Sequence, residues 1–224
     1  MNRVAIGGLM VLLLAVSPAL AATISVGTHE LLPGTAVGAD SQVIGIWVEA
    51  EDGDPPIAGA VIEIQVGDGG PAAGGTTAGP RIVAVDVVSS GGVSDLPGNP
   101  ERVFSQHPNT GNVGPGAIVP QVASVGTTLG ESSPGVPAPG FVANGLLCTI
   151  TLDTTGFTVD DGPWDLILSQ TLNGATVLNE DTPEALPIPL TVADGSIVIV
   201  PEPATIVMLL GLLAAVPFAW RKRK

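Results

Sequence analysis

The chain has 224 residues, of which 7 are basic and 21 acidic, so its formal net charge is −14. Such an acidic chain is unsuited to binding nucleic acid, because phosphate contacts need a basic face. A single cysteine excludes an intrachain disulfide framework and a cysteine zinc site, and two histidines leave little for a histidine metal cluster.

Residues 1–22 have the pattern of a secretory signal peptide. Arg3 supplies the positive n-region, Val4–Val16 is an apolar run, and Ala19-Leu20-Ala21 forms an A-x-A cleavage site. We expect the chain to enter the export pathway and to be cut after Ala21 or Ala22. The alternative is an uncleaved N-terminal anchor.

Residues 23–200 predict a single all-β domain. Apolar and polar residues alternate over short segments bounded by Gly and Pro, and helical periodicity is nearly absent. Nine segments of this kind favour two packed antiparallel sheets, a β-sandwich of jelly-roll type. The predicted strands are Thr23–Gly27, Gln42–Ala50, Ala60–Val66, Arg81–Val88, Ala117–Val125, Leu146–Leu152, Trp164–Ser169, Ala175–Leu178 and Ser196–Val200. The glycine- and proline-rich stretches Gly67–Pro80, Ser89–Gly116 and Gly130–Gly140 are predicted surface loops.

Most of the acidic charge lies in this predicted domain. Of the basic residues only Arg81 and Arg102 fall within residues 23–200, against 20 of the 21 acids, so the net charge there is −18. Such a surface repels itself, stays soluble and could hold divalent cations. Solubility alone is the simpler interpretation.

Two acidic groups are candidate calcium ligands, because calcium takes several carboxylate and carbonyl oxygens. The first is Glu49, Glu51, Asp52 and Asp54 around Gly53, and the second is Asp153, Asp160, Asp161 and Asp165. Neither has the spacing of an EF-hand loop, and solvated or turn-capping carboxylates explain both groups more simply. The metal candidates we retain are Asp52, Asp54, Asp160 and Asp161, with calcium as the ion.

The predicted domain shows no catalytic arrangement. There is no G-x-S-x-G motif or phosphate-binding loop, no pair of carboxylates stands out for glycoside hydrolysis, and Cys148 alternates with apolar residues as a buried side chain does. We therefore predict a protein that is not an enzyme and name no catalytic residue. Trp164 is expected in the core, whereas Trp47 lies on the strand face opposite Ile44 and is a candidate glycan contact.

The C-terminus has three parts in a fixed order. Pro201-Glu202-Pro203 is followed by 17 uncharged, mainly apolar residues, 204–220, and then by Arg221, Lys222, Arg223 and Lys224. Seventeen helical residues span roughly 25 Å, the short limit for crossing a bilayer. The basic end would stay on the cytoplasmic side by the positive-inside rule. A plain single-pass anchor is one interpretation of this tail.

This order of motif, short apolar stretch and basic end resembles the PEP-CTERM sorting signal, over residues 201–224. The resemblance implies that Pro201, Glu202, Pro203 and the four basic residues direct sorting. It also implies that a membrane enzyme, the exosortase, processes the chain and releases it. It further implies a Gram-negative host that makes exopolysaccharide.

Seven apolar and glycine-bearing segments follow one another along the predicted domain: Ile24–Gly27, Leu32–Gly34, Val43–Glu49, Ile57–Ile64, Gly145–Leu152, Gly162–Leu168 and Asp194–Ile199. Their order resembles a cohesin-type domain, within the broad sandwich group that includes carbohydrate-binding modules. The resemblance rests on hydrophobic patterns and glycines rather than on contact residues, and residues 89–140 show no pattern that matches the family.

Together these features predict an exported, non-enzymatic protein of the cell surface or extracellular matrix. It would be anchored in the inner membrane by 204–220 and then processed by the exosortase. The first alternative is a cohesin-like module that binds a protein partner such as a dockerin. The second is a carbohydrate-binding module, with Trp47 as its contact.

Overall fold

The computed structural model describes residues 22–51, 54, 56–57, 59–87, 96, 103, 110–129, 131–133, 136–137, 144–169, 175–178, 185–188 and 191–202. Within these residues the chain forms fifteen strands and one 3-10 turn, Pro71–Ala73. The strands are β1 Thr23–Ser25, β2 Thr28–Leu31, β3 Gln42–Glu49, β4 Gly59–Val66, β5 Arg81–Asp86, β6 Thr110–Val119, β7 Val122–Leu129, β8 Glu131–Ser133, β9 Val136–Pro137, β10 Gly145–Asp153, β11 Trp164–Ser169, β12 Ala175–Leu178, β13 Ala185–Ile188, β14 Thr191–Ala193 and β15 Gly195–Ile199.

Eleven of these strands form two mixed sheets. Sheet 1 has the order β14-β1-β3-β10-β5, and sheet 2 has the order β2-β15-β11-β4-β7-β6. The remaining four strands form the hairpins β8-β9 and β12-β13. The predicted all-β sandwich is confirmed. Most neighbours are antiparallel, but β1 pairs with β14 and β2 pairs with β15 in parallel.

Alternating side chains from both sheets form one hydrophobic core. On β3 the side chains of Ile44, Ile46 and Val48 are buried, and on β4 the even-numbered residues from Ala60 to Val66 are buried. The facing residues of β10 and β11, Cys148 and Trp164 among them, belong to the same cluster. This two-residue period is what an antiparallel sheet with one buried face requires. The expected core positions of Cys148 and Trp164 are confirmed.

The predicted strand Ala117–Val125 is wrong as a single strand. The chain turns at Pro120 and Gln121, and the two halves pair as the hairpin β6-β7, with Val119 opposite Val122. Proline lacks an N–H and presets the backbone for a turn, so Pro120 was the local signal for this break. β6 also begins at Thr110, inside the stretch predicted as a loop.

The parallel contacts of β1 with β14 and of β2 with β15 arise because the first two strands and the last two strands run side by side. β1 and β2 pass from sheet 1 to sheet 2, and β14 and β15 do the same beside them. The predicted first strand therefore ends early, at Ser25, before Gly27 with φ +70°. Pairing between the chain's two ends leaves no local sequence pattern.

No helix within the described residues is long and apolar enough to cross a membrane. The predicted signal peptide, apart from Ala22, and the predicted tail from Pro203 onward lie outside the described residues.

Candidate functional site

The candidate site is the junction between the last strand and the Pro201-Glu202-Pro203 motif. β15 lies between β2 and β11 in sheet 2, so it is an internal strand. Ile197 is 0% exposed and Ile199 is 6% exposed. The C-terminal strand is therefore part of the core, not an appendage to it.

The chain leaves the sheet immediately after this strand. The Val200 N–H donates a hydrogen bond of 2.9 Å to the Leu31 carbonyl, which extends the β2-β15 contact by one residue. Pro201 follows and is exposed, and Glu202 is half-buried. Because proline has no N–H, Pro201 cannot continue the ladder. No spacer separates the fold from the motif.

Close backbone packing fixes the start of β15. The Ser196 N–H donates to the Gly27 carbonyl at 3.0 Å, and a Cβ on Gly195 would lie 1.8 Å from that same carbonyl oxygen. The Asp194 carboxylate accepts the Leu168 N–H at 2.7 Å, which ties the turn before β15 to β11. Only glycine at 195 lets the terminal strands cross this closely.

The strand register shows that four segments connecting successive strands lie at the same end of the sandwich as Val200. Leu152 lies opposite Gln42, Asp153 opposite Arg81, and Val122 opposite Gln65. We call this region the C-terminal end and define it as residues 32–41, 67–80, 120–121, 154–163 and 200–202. Ala22 lies at the other end, where β1 pairs with the last residues of β3.

A buried threonine holds two of these connections together. Thr154 is 0% exposed, and its hydroxyl donates to the Leu32 carbonyl and accepts from Gln42 Nε2, each at 2.8 Å. Backbone bonds from the Gly34 N–H to the Phe157 carbonyl and from the Thr154 N–H to the Ala39 carbonyl reinforce the contact. A buried hydroxyl that both donates and accepts a hydrogen bond stabilises the contact between these two connections.

Asp68 organises the third connection, residues 67–80. Its carboxylate accepts the N–H groups of Gly70, Thr76 and Thr77 and the Thr76 hydroxyl, at 2.7 to 3.0 Å. These bonds, led by the Thr76 and Gly70 amides, hold the pKa of Asp68 far below its usual value. The β6-β7 hairpin also contacts this connection, because Gln121 Nε2 donates to the Gly79 carbonyl at 3.0 Å.

Asp153 and Arg81 form an ion pair across β10 and β5, with Arg81 half-exposed and Asp153 buried. The Thr155 N–H donates to the same carboxylate at 2.7 Å. Hydrogen bonds from Thr155, with a smaller contribution from Arg81, lower the pKa of Asp153 although burial opposes the shift. Asp153, one of the acidic residues considered for calcium, is thus already paired.

Two of the retained calcium candidates, Asp54 and Asp161, each cap a turn. Asp54 is buried and accepts the Glu51 N–H at 2.7 Å. Asp161 accepts the Thr158 N–H at 2.7 Å and its hydroxyl at 2.9 Å, next to the exposed Asp160. Asp52 lies outside the described residues, within which no three metal-ligating side chains cluster closely enough to hold an ion. Calcium binding stays a prediction.

Trp47 lies on the outer face of sheet 1 and is 39% exposed. Its cross-strand neighbours are Ser25 on β1 and Leu146 on β10. Leu96 reaches the same face, since a Cβ on Gly45 would lie 2.7 Å from the Leu96 side chain and 3.0 Å from Trp47 Nε1. The face around Trp47 is therefore partly covered by the chain itself.

Comparison with known proteins agrees with the sequence at the C-terminus. The profile of the PEP-CTERM protein-sorting motif matches residues 200–224, so the chain carries this sorting motif directly after β15. No curated protein matches the chain.

The sandwich is similar in structure to cohesin modules. The seventh ScaB type I cohesin of Pseudobacteroides cellulosolvens has 13% identity and a TM-score of 0.49, over 82% of this chain and 94% of that one. A non-cellulosomal cohesin of Archaeoglobus fulgidus has 13% identity and a TM-score of 0.47, over 84% and 97%. The sixth ScaB cohesin of Acetivibrio cellulolyticus, solved in complex with a dockerin, has 12% identity and a TM-score of 0.49, over 80% and 99%. Likeness at this level does not extend to a partner or a contact surface.

Proposed function

We propose that this is an exported, non-enzymatic protein of the cell surface or extracellular matrix that is sorted through its PEP-CTERM motif and processed there by an exosortase. The observation that carries the proposal is the match of the motif to residues 200–224, directly after the last core strand. The Pro201-Glu202-Pro203 triplet and the four terminal basic residues are the sorting determinants. The host is a Gram-negative bacterium.

The physical layout supports this route. Residues 1–22 have the pattern that directs export, and residues 204–220 are apolar and uncharged, so they can halt translocation with the basic end inside. The domain between them carries a net charge of −18, which keeps a released protein soluble. Before processing, the inner membrane holds the tail. Afterwards the sandwich is at the surface or in the medium.

Fractionation of the native host tests the proposal. We would compare the wild type, Glu202→Ala and the matched control Glu49→Ala, which removes an exposed carboxylate on β3. We expect the wild type and the control to reach the surface or the medium without the tail, and Glu202→Ala to stay in the inner membrane. Intact wild-type protein in the inner membrane would instead mean a plain tethered domain.

A second candidate function is ligand binding through the outer face of sheet 1. The observation that favours it is Trp47, an aromatic side chain left 39% exposed beside Ser25. Exposed aromatics supply a stacking surface for sugar rings and an anchor at protein interfaces. Retention on a polysaccharide column would identify a carbohydrate-binding module, and capture of one specific protein would identify a dockerin-type partner.

Trp47→Ala should abolish whichever binding is seen. Val83→Ala is the matched control, because Val83 is also exposed, at 47%, on β5 of the same sheet. If both variants bind as the wild type does, Trp47 is not the contact.

A further inference from the structure

The folded domain limits where the chain can be cut. Gly195, Ser196 and Ile197 pair with β11 on one side, and Ser196 to Ile199 pair with β2 on the other. A protease acts on exposed, locally opened chain, so peptide bonds within an internal strand are protected until the strand is pulled out. Pulling out β15 would expose Ile197 and Ile199, which are 0% and 6% exposed in the fold.

The protected chain extends one residue past the strand. The hydrogen bond from the Val200 N–H to the Leu31 carbonyl, 2.9 Å, holds the last position before the motif. Pro201 is the first exposed residue with no N–H to give to the sheet. The boundary between protected and accessible chain therefore falls at Val200-Pro201, where the matched motif begins.

We infer that the sandwich sets the N-terminal limit of processing, so that the mature protein ends at Pro201 or beyond. This inference rests on the proposed function for the enzyme that makes the cut. The peptide bond after Pro201, or a later one, is broken. The carbonyl carbon of that bond forms a new bond to water or to an acceptor amine. The proton that this nucleophile loses goes to the amine nitrogen of the departing tail.

The same boundary dictates how the enzyme approaches. Only three residues, 201–203, separate Val200 from the start of the apolar stretch at 204. The four Cα–Cα steps between them reach at most about 14 Å when fully extended. The enzyme must therefore work against the C-terminal end of the sandwich. There the exposed side chains include Val37, at 98%, and Val159, at 44%.

Two measurements on the full chain test the inference. The first is the mass of the tail-free protein recovered from the native host, which gives its C-terminal residue. The second is limited digestion of the unprocessed full chain in detergent with proteinase K, with every cut between 190 and 224 mapped by mass spectrometry. Ile199→Asp is the control, because a charge at this buried position should loosen β15 and make cuts between 195 and 200 visible.

We expect the host product to end at Pro201 or later, and the digestion to cut beyond Pro201 but not between 195 and 200. A host product that ends at or before Val200 would overturn the inference, as would wild-type cuts within β15. If the host makes no tail-free product while digestion still spares 195–200, the sorting proposal fails. The boundary set by the fold then stands.

Discussion

The two ends of the sandwich are held in different ways. At the C-terminal end, Asp68 gathers four donors and Thr154 joins residues 32–41 to 154–163 through both roles of its hydroxyl. At the opposite end the described contacts include a local turn, in which Glu51 and Asp54 exchange two hydrogen bonds, and one backbone bond from the Thr191 N–H to the Ala22 carbonyl. The difference matters because the multiply bonded end is the one from which the sorting motif leaves.

The comparison teaches that acidic residues in this chain are not equivalent. Asp68 lies in a run of glycines and looks from the sequence like any solvated carboxylate, yet it orders a whole connection. Asp160 and Asp161, which look like a metal-binding pair, lie in a single turn capped through Thr158. Hydrogen-bond partners, rather than the density of acids along the sequence, separate the two roles.

The largest expected effect breaks the crossing of the terminal strands. Gly195→Ala places a methyl group 1.8 Å from the Gly27 carbonyl oxygen, so the strands must move apart. We expect a loss of about 3 kcal/mol in the free energy of unfolding, at the upper end for overpacking. Denaturant unfolding measures it.

Gly38→Ala is the matched control for this prediction. Its φ is +84°, but nothing lies within 4 Å of the added methyl group, so backbone strain acts without a clash. We expect a cost of about 1 kcal/mol. Equal losses in the two variants would mean that the crossing at Gly195 is not tightly packed.

The crossing also shows how far the sequence could lead. Alternation alone located β3, β4, β10 and β11 to within two residues, although β10 is buried on both faces from Leu146 to Ile150. The pairing of β2 with β15 brings together residues 168 positions apart, such as Thr28 and Ser196, and no local pattern encodes it. Gly195 lies in a segment identified from the sequence, but only the position of Gly27 shows that residue 195 must be a glycine.

The candidate site could be predicted in part. The motif at 201–224 was recognisable because its three parts stand in order at the chain terminus. The buried role of Thr154 was not, since an isolated threonine after a strand carries no signal of its partners. The β6-β7 hairpin was missed even though Pro120 marked it, because the apolar residues on both sides were interpreted as one alternating strand.

The second prediction concerns Thr154, which links residues 32–41 to residues 154–163 at the C-terminal end. Thr154→Val keeps the shape of the side chain but leaves the Leu32 carbonyl and Gln42 Nε2 without the hydroxyl. Gln42 Nε2 keeps longer bonds of 3.3 Å to the Leu32 and Ala39 carbonyls, so we expect a loss of about 1 kcal/mol, as for a hydrogen bond whose partners are not left unpaired. Thr35→Val, at an exposed position in the same region, should stay within about 0.5 kcal/mol of the wild type. Thermal unfolding of both variants distinguishes them.

The third prediction uses pH to sharpen the contrast between carboxylates. The folded pKa of Asp68 is lowered from 3.8, and that of Asp153 is lowered from the same value. Their contribution to stability is therefore complete above pH 3.8 and is lost as the pH falls through the folded pKa values. We expect the denaturation midpoint to drop as the pH falls below about 4.

Asp68→Asn should flatten this pH dependence and lower stability at pH 6, because an amide accepts fewer of the four hydrogen bonds. Asp40→Asn, at an exposed position of the same end, is the matched control. An unchanged pH profile for Asp68→Asn would show that the carboxylate does not order residues 67–80. Adding Asp153→Asn should flatten the profile further.

The smallest effect concerns a single residue at the opposite end. Ala22 is 3% exposed, and its carbonyl accepts the Thr191 N–H at 3.3 Å, so the fold uses Ala22 as the residue before β1. Of the two expected cleavage positions, the one after Ala21 keeps this contact, and the one after Ala22 loses a hydrogen bond worth about 1 kcal/mol. N-terminal sequencing of the exported protein should therefore begin at Ala22. A start at Thr23 would mean that β14 is held in place without Ala22. The N-terminal boundary of the exported protein would then not be set by the fold, unlike the boundary at Val200.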